Sequence, residues 1–133
     1  MKKYFTLLIS LFFLFSFAVQ AQLNNPWVVP DDYKEMVNPT ENNKSSMKIA
    51  KSLYSKHCET CHGQKGLGDG DTSPKLRTDP SNLTLIDLDV QTDGELFYKI
   101  LTGRDEMPAY ENKIPEADIW LLVNYIRTFY HED

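Results

Sequence analysis

Apolar residues recur at three- and four-residue steps in three stretches of this chain, and in none of them do they alternate with polar ones. That period belongs to the helix, where residues three and four apart share a face. The first stretch runs through Met47, Ile49, Ala50, Leu53 and Tyr54 toward His57, with Ser45 or Ser46 placed to cap it. The second opens on Thr92-Asp93-Gly94-Glu95, a capping-box pattern, and continues through Leu96, Phe97, Ile100 and Leu101 until Gly103 stops it. The third starts near Pro115, a residue suited to the first helical position, and carries Ile119, Leu122, Val123, Ile126 and Phe129 as its apolar stripe. Residues 63–88 are rich in Gly, Pro and Asp without any period, which predicts a long loop holding at most a short helical turn. A loop of that length is unusual in a compact domain unless it wraps something functional.

A different pattern marks the beginning. Met1, Lys2 and Lys3 precede an apolar run from Tyr4 to Val19, which exits through Val19-Gln20-Ala21. A basic start, an apolar middle and small residues at the exit predict a secretory signal over residues 1–21. The run is slightly shorter than the roughly 17 to 25 residues that cross a bilayer. An uncleaved membrane anchor is the alternative. Residues 22–46, broken by Pro26, Pro30 and Pro39, read as an irregular arm. Its Trp27, Val28, Val29, Tyr33 and Met36 either lie against the body or ride on a plain tether. Residues 47–133 are left as the folded domain.

Composition narrows the partners. The 133 residues suffice for one domain, and 19 acidic side chains face 14 basic ones. Loss of residues 1–21 removes two lysines and leaves 12 basic against 19 acidic, a net charge of −7. Nucleic acid and anionic lipid are disfavoured, because phosphate binding needs clustered Lys and Arg. The excess of acid suits a basic protein partner, or serves solubility alone. Three short helices also give a thin core, and such a chain gains by closing around a large apolar cofactor.

Cys58-Glu59-Thr60-Cys61-His62 supplies the candidate chemistry. C-x-x-C-H is the spacing of covalent c-type haem attachment. Two thiols three positions apart on a helix point to one side, where they can add to two vinyl groups, and the next residue brings an imidazole under the iron. Three rivals use the same residues. A thioredoxin-like pair wants a βαβ setting that the pattern lacks. A zinc site built with His57, His62 or His131 lacks the usual second Cys or His pair. A Cys58–Cys61 disulfide would close too small a loop to stabilise much. A second axial ligand is sought among the methionines. Met107 stands in Glu106-Met107-Pro108-Ala109-Tyr110, a polar loop where Pro108 restricts the backbone beside the sulfur. Met36 and Met47 are worse placed, in the arm and on the helix of the cysteines.

With Cys58, Cys61, His62 and Met107 in place, the chain resembles a class I cytochrome c, a bacterial mono-haem c-type cytochrome, over about residues 47–130. Ala50-Lys51-Ser52-Leu53-Tyr54 is similar to the family's first helix, with Leu122 and Tyr125 as the matching positions on its last. Ala50 stands where the family more often has Gly, which implies a slightly wider helix crossing. Residues 63–70 resemble the glycine-rich loop that follows the haem motif in many bacterial members. They match neither a phosphate-binding loop nor an EF-hand. The resemblance implies an all-α cytochrome c-like fold wrapped around one haem c with its iron, and a proline carbonyl that orients the proximal histidine, with Pro74 and Pro80 as candidates. It leaves Arg77 as either a propionate contact or an exposed loop residue, and Trp120 as either a haem neighbour or plain core. His57 and His131 are expected to face solvent.

The function implied is electron transfer and not enzymatic turnover. A periplasmic carrier, free or as a complex subunit, would pass single electrons between a quinol-oxidising complex and a terminal oxidase or reductase, with inner-membrane association through an uncleaved N-terminus or through the complex. The alternative is a haem enzyme or gas sensor whose sixth iron position is open or displaceable.

Overall fold

The computed structural model describes residues 26–85 and 90–130. The stretch expected to be a signal, residues 1–21, and His131 lie outside the described residues. Every regular element described is helical: α1 (Asp31–Lys34), α2 (Lys44–His57), α3 (Glu59–His62), a 3₁₀ turn (Ser73–Lys75), α4 (Asp93–Thr102) and α5 (Glu116–Arg127). The all-α reading holds, with two very short helices added to the three that the periodicity predicts.

The helix ends follow the chemistry of capping. Thr92 accepts from Glu95 N while the Glu95 carboxylate accepts from Thr92 N at 2.8 Å, so α4 opens as its sequence predicts. Gly103 then ends it with φ 60°. At α2 the cap is neither Ser45 nor Ser46. Asn43 Oδ1 accepts from both of their amides at 3.0 Å, and Ser46 returns a bond to Asn43 N. Pro115 sits one residue earlier than expected, as the cap of α5.

α2 crosses α5, and α5 lies beside α4. Ala50 is fully buried, as are Leu122 and Val123, while the Tyr54 ring meets Tyr125 at 5.3 Å and Phe129 at 5.1 Å. Trp120 is plain core: its indole stacks on Phe97 at 4.1 Å. The outer face of α2 is different in kind, with Lys44, Lys48, Lys51 and Lys56 all exposed and no carboxylate on the helix.

The described part of the arm, residues 26–43, is laid against this body. Val29 is buried, and the Tyr33 ring packs on Tyr98 at 4.7 Å and Phe97 at 6.4 Å. Asn38 donates to the Trp120 carbonyl at 3.1 Å and to Asn124 Oδ1 at 3.0 Å. Gly94 makes the fit possible, because a Cβ there would lie 1.8 Å from the Tyr33 carbonyl oxygen. Glycine opens α4 so that another strand of backbone can rest on it.

Candidate functional site

Cys58 ends α2, and α3 carries Cys61 and His62 on the next turn. A four-residue helix exposes carbonyls at its C-terminal end that need partners. The loop that follows supplies them. Thr72 N donates to Thr60 O at 2.8 Å, Gly70 N to Cys61 O at 3.1 Å and Gly68 N to His62 O at 2.8 Å. The glycine-rich segment therefore acts as a cap folded back on the motif. Two tyrosines close it from either side. Tyr110 Oη donates to the His57 carbonyl at 2.6 Å, just ahead of the motif, and Tyr54 Oη donates to the Gly63 carbonyl at 2.7 Å, just after it. From the sequence Tyr54 reads as a packing residue, and Tyr110 has no evident role. The only clue was an aromatic with a polar tip on each side of the motif.

The His62 ring is half-buried, and its Nδ1 lies 3.1 Å from the Ser81 carbonyl oxygen. A carbonyl can only accept, so Nδ1 carries the proton and Nε2 keeps its lone pair. Burial also holds the imidazole below its ordinary pKa, against a smaller upward pull from that hydrogen bond. The result is a neutral ring fixed in one tautomer. Neither Pro74 nor Pro80 is the acceptor. Pro80 turns its own carbonyl toward Gly68, where φ is +80° and a Cβ would come within 2.5 Å of that oxygen. The next carbonyl, that of Ser81, is the one aimed at the ring.

Cys58 and Cys61 are free thiols, both half-buried. Burial first, and then the neighbouring Cys61, pushes the Cys58 thiol up to about 12. It stays protonated at neutral pH, unlike the depressed thiol of a redox pair. No group of three His, Cys, Asp or Glu among the described residues is arranged for a metal ion, which weakens the zinc rival within that range. His57 is partly exposed, with its ring edge-on to Tyr110 at 5.8 Å.

Met107 lies on a tight hairpin between α4 and α5. Arg104 and Met107 exchange both backbone hydrogen bonds at 2.9 Å, with Asp105 at the tip in a left-handed conformation, φ 54°. The methionine is partly buried and packs against the hydrophobic core. Beside it, Glu106 Oε2 accepts from the Arg77 and Thr78 amides at 2.8 and 3.1 Å. The Arg77 side chain is 90% exposed and 3.7 Å from Glu106, so its contact in this structure is with that carboxylate.

The motif residues fit a covalently attached haem. Two unbonded thiols sit one helical turn apart, and the histidine beside them has one nitrogen anchored to backbone and the other left with its lone pair. A helical fold capped around such a motif defines a c-type cytochrome of class I. Residues 45–126 match the family described as cytochrome c oxidase, cbb3-type, subunit III, and the chain belongs to that family. Its cofactor is accordingly haem c with iron, and its chemistry is electron transfer. Among solved structures, a chain of the reducing HAO-like protein complex from Kuenenia stuttgartiensis is similar in fold, with a TM-score of 0.61 at 18% identity. The match covers 80% of this chain and 50% of the other, so this chain spans about half the length of that relative. No curated protein matches it.

Proposed function

We propose that the protein is an exported mono-haem electron carrier, or the electron-transfer subunit of a membrane-associated respiratory complex, working in the periplasm and not itself an enzyme. Cys58 and Cys61 would hold the haem through thioethers, and His62 and Met107 would be the side chains that ligate its iron. The bound group supplies a one-electron ferric/ferrous couple. With both ligands supplied by protein side chains, the iron would be closed to substrate, and outer-sphere transfer would be the chemistry left. A thioether ligand favours the ferrous state and raises the potential.

The single observation that carries this reading is the anchoring of His62 Nδ1 to the Ser81 carbonyl. It orients the ring, raises its basicity and leaves Nε2 as the donor atom. Met107 adds support, since a soft ligand is held on a hairpin packed against the core. The family match, whose description names an oxidase subunit, supports redox protein partners in general; the partners proposed are a quinol-oxidising donor and a terminal oxidase or reductase as acceptor. Docking would be transient, through a small interface of the weak redox class.

The test compares optical spectra of the haem-loaded wild type and Met107→Ala, ferric and ferrous. A sulfur-to-iron charge-transfer band in the ferric wild type, lost in the variant, is the expected result. A high-spin wild-type spectrum unchanged by the substitution would move the assignment to an open-site haem enzyme or gas sensor.

A further inference from the structure

We infer that Glu106 is a positioning residue for Met107, fastening the hairpin that presents the methionine to the loop at residues 77–78. The inference rests on Met107 being an axial ligand. The hairpin also meets the arm and the core, where the Arg104 guanidinium lies on the Trp27 ring and Met107 packs against buried residues. Its own two backbone bonds fix its shape, and Gly103 packs so closely beneath it that a Cβ would meet Met107 O at 2.5 Å. Neither contact ties the tip to the far side of the molecule. Glu106 does, across 28 and 29 positions of sequence, by accepting from two successive amides with one oxygen. Its side chain is 24% exposed, so these charge-assisted bonds are partly screened from water at the carboxylate end. The ion pair with Arg77 adds little, because that guanidinium stands in solvent.

Glu106 and Met107 are adjacent, and the chain sends them to different neighbours: the carboxylate to the 77–78 backbone, the thioether to the core. Fixing one fixes the other. A methionine sulfur is a weak donor, so its hold depends on being kept at high local concentration. Cutting the strut leaves the sulfur chemically unchanged and more often away from its position. An external ligand then competes better, in proportion to the time the position is vacated.

Reach and charge can be separated by three variants. Glu106→Gln keeps an oxygen at full length, Glu106→Asp keeps the charge on a shorter arm, and Glu106→Ala removes both. Imidazole is titrated into the ferric holoprotein while the sulfur-to-iron band is followed. Ala and Asp should bind imidazole about tenfold more tightly than wild type, in keeping with the loss of bonds to a charged group. Gln should stay within about threefold, and Glu111→Ala, an exposed carboxylate on the same segment, should match wild type. Ala indistinguishable from wild type, or Asp restoring what Gln does not, overturns the inference. If Ala does not accumulate as holoprotein, the Gln and Asp pair decides it alone. A wild-type band that Met107→Ala leaves intact removes the ligand assignment and the inference with it. A band lost in Met107→Ala but insensitive to imidazole in every Glu106 variant removes the inference only.

Discussion

The turn that carries His62 and the hairpin that carries Met107 are held by different means. Around His62, three loop amides cap the carbonyls of α3, two phenols grip the backbone on either side, and α2 packs against the turn. Around Met107 there are two backbone bonds, a glycine contact, one carboxylate on two amides, the packing of the thioether on the core and the Trp27 ring against Arg104. The first is built into the fold with redundancy, so disturbing it costs global stability. The second depends on a few separable links, and disturbing one costs local placement. A protein that must keep its cofactor while tuning how firmly one ligand is held gains from that division.

The largest expected effect falls on the first region. Tyr54 is essentially buried, contacts Tyr125 and Phe129, and donates to Gly63. Tyr54→Ala should cost about 3–5 kcal/mol through the cavity and the orphaned carbonyl, read by guanidinium unfolding of the holoprotein. A loss below about 1 kcal/mol would mean that the helix crossing does not support the motif, and the contrast would fail.

Tyr110→Phe is gentler and has a signature in pH. The phenol donates to His57 O, and burial pushes its pKa up to about 12 from an ordinary value of 10.0. A group that holds its proton more tightly when folded contributes its full stability below pH 10.0 and loses it as pH rises toward about 12. The Phe variant should be less stable by about 1 kcal/mol at neutral pH. It should also lack this part of the alkaline decline. Parallel stability curves for the two proteins across that window would contradict the assignment.

Trp27→Ala probes the second region from outside. The arm lays this indole on the Arg104 guanidinium, 4.7 Å from the ring centroid, and Arg104 is paired to Met107 through the backbone. The global cost should be small, on the order of 0.5–1 kcal/mol. Hydrogen exchange at the Arg104 and Met107 amides should nonetheless quicken. Unchanged exchange at both would show that the arm merely lies on the hairpin without steadying it.

Much of this architecture was legible in the chain because it rests on local rules. Thr92 and Glu95 announce the start of α4, Gly103 its end, and Cys58 to His62 their spacing. What stayed hidden involves contacts between distant segments. The resemblance implies a proline carbonyl at Pro74 or Pro80, but which carbonyl faces the ring depends on Pro80 O being turned against Gly68. Gly94 reads as an interior residue of a capping box, and only the docked Tyr33 carbonyl shows why it lacks a side chain. Glu106 reads as a surface acid until the loop at residues 77–78 is folded beside it. Asn43 is masked in the sequence by the two serines after it, and Ser46 is the other half of the same box.

The lysines of α2 change what the overall charge can mean. The whole chain is formally −5, yet one helix face carries four cations and no anions. At physiological ionic strength an electric field fades over about 8 Å, less than the width of a helix with its side chains. A partner approaching that side therefore meets a positive object, and one approaching from elsewhere meets a negative one. Over such short range the molecule behaves as a dipole with a preferred heading, and its net charge says little about which way it turns.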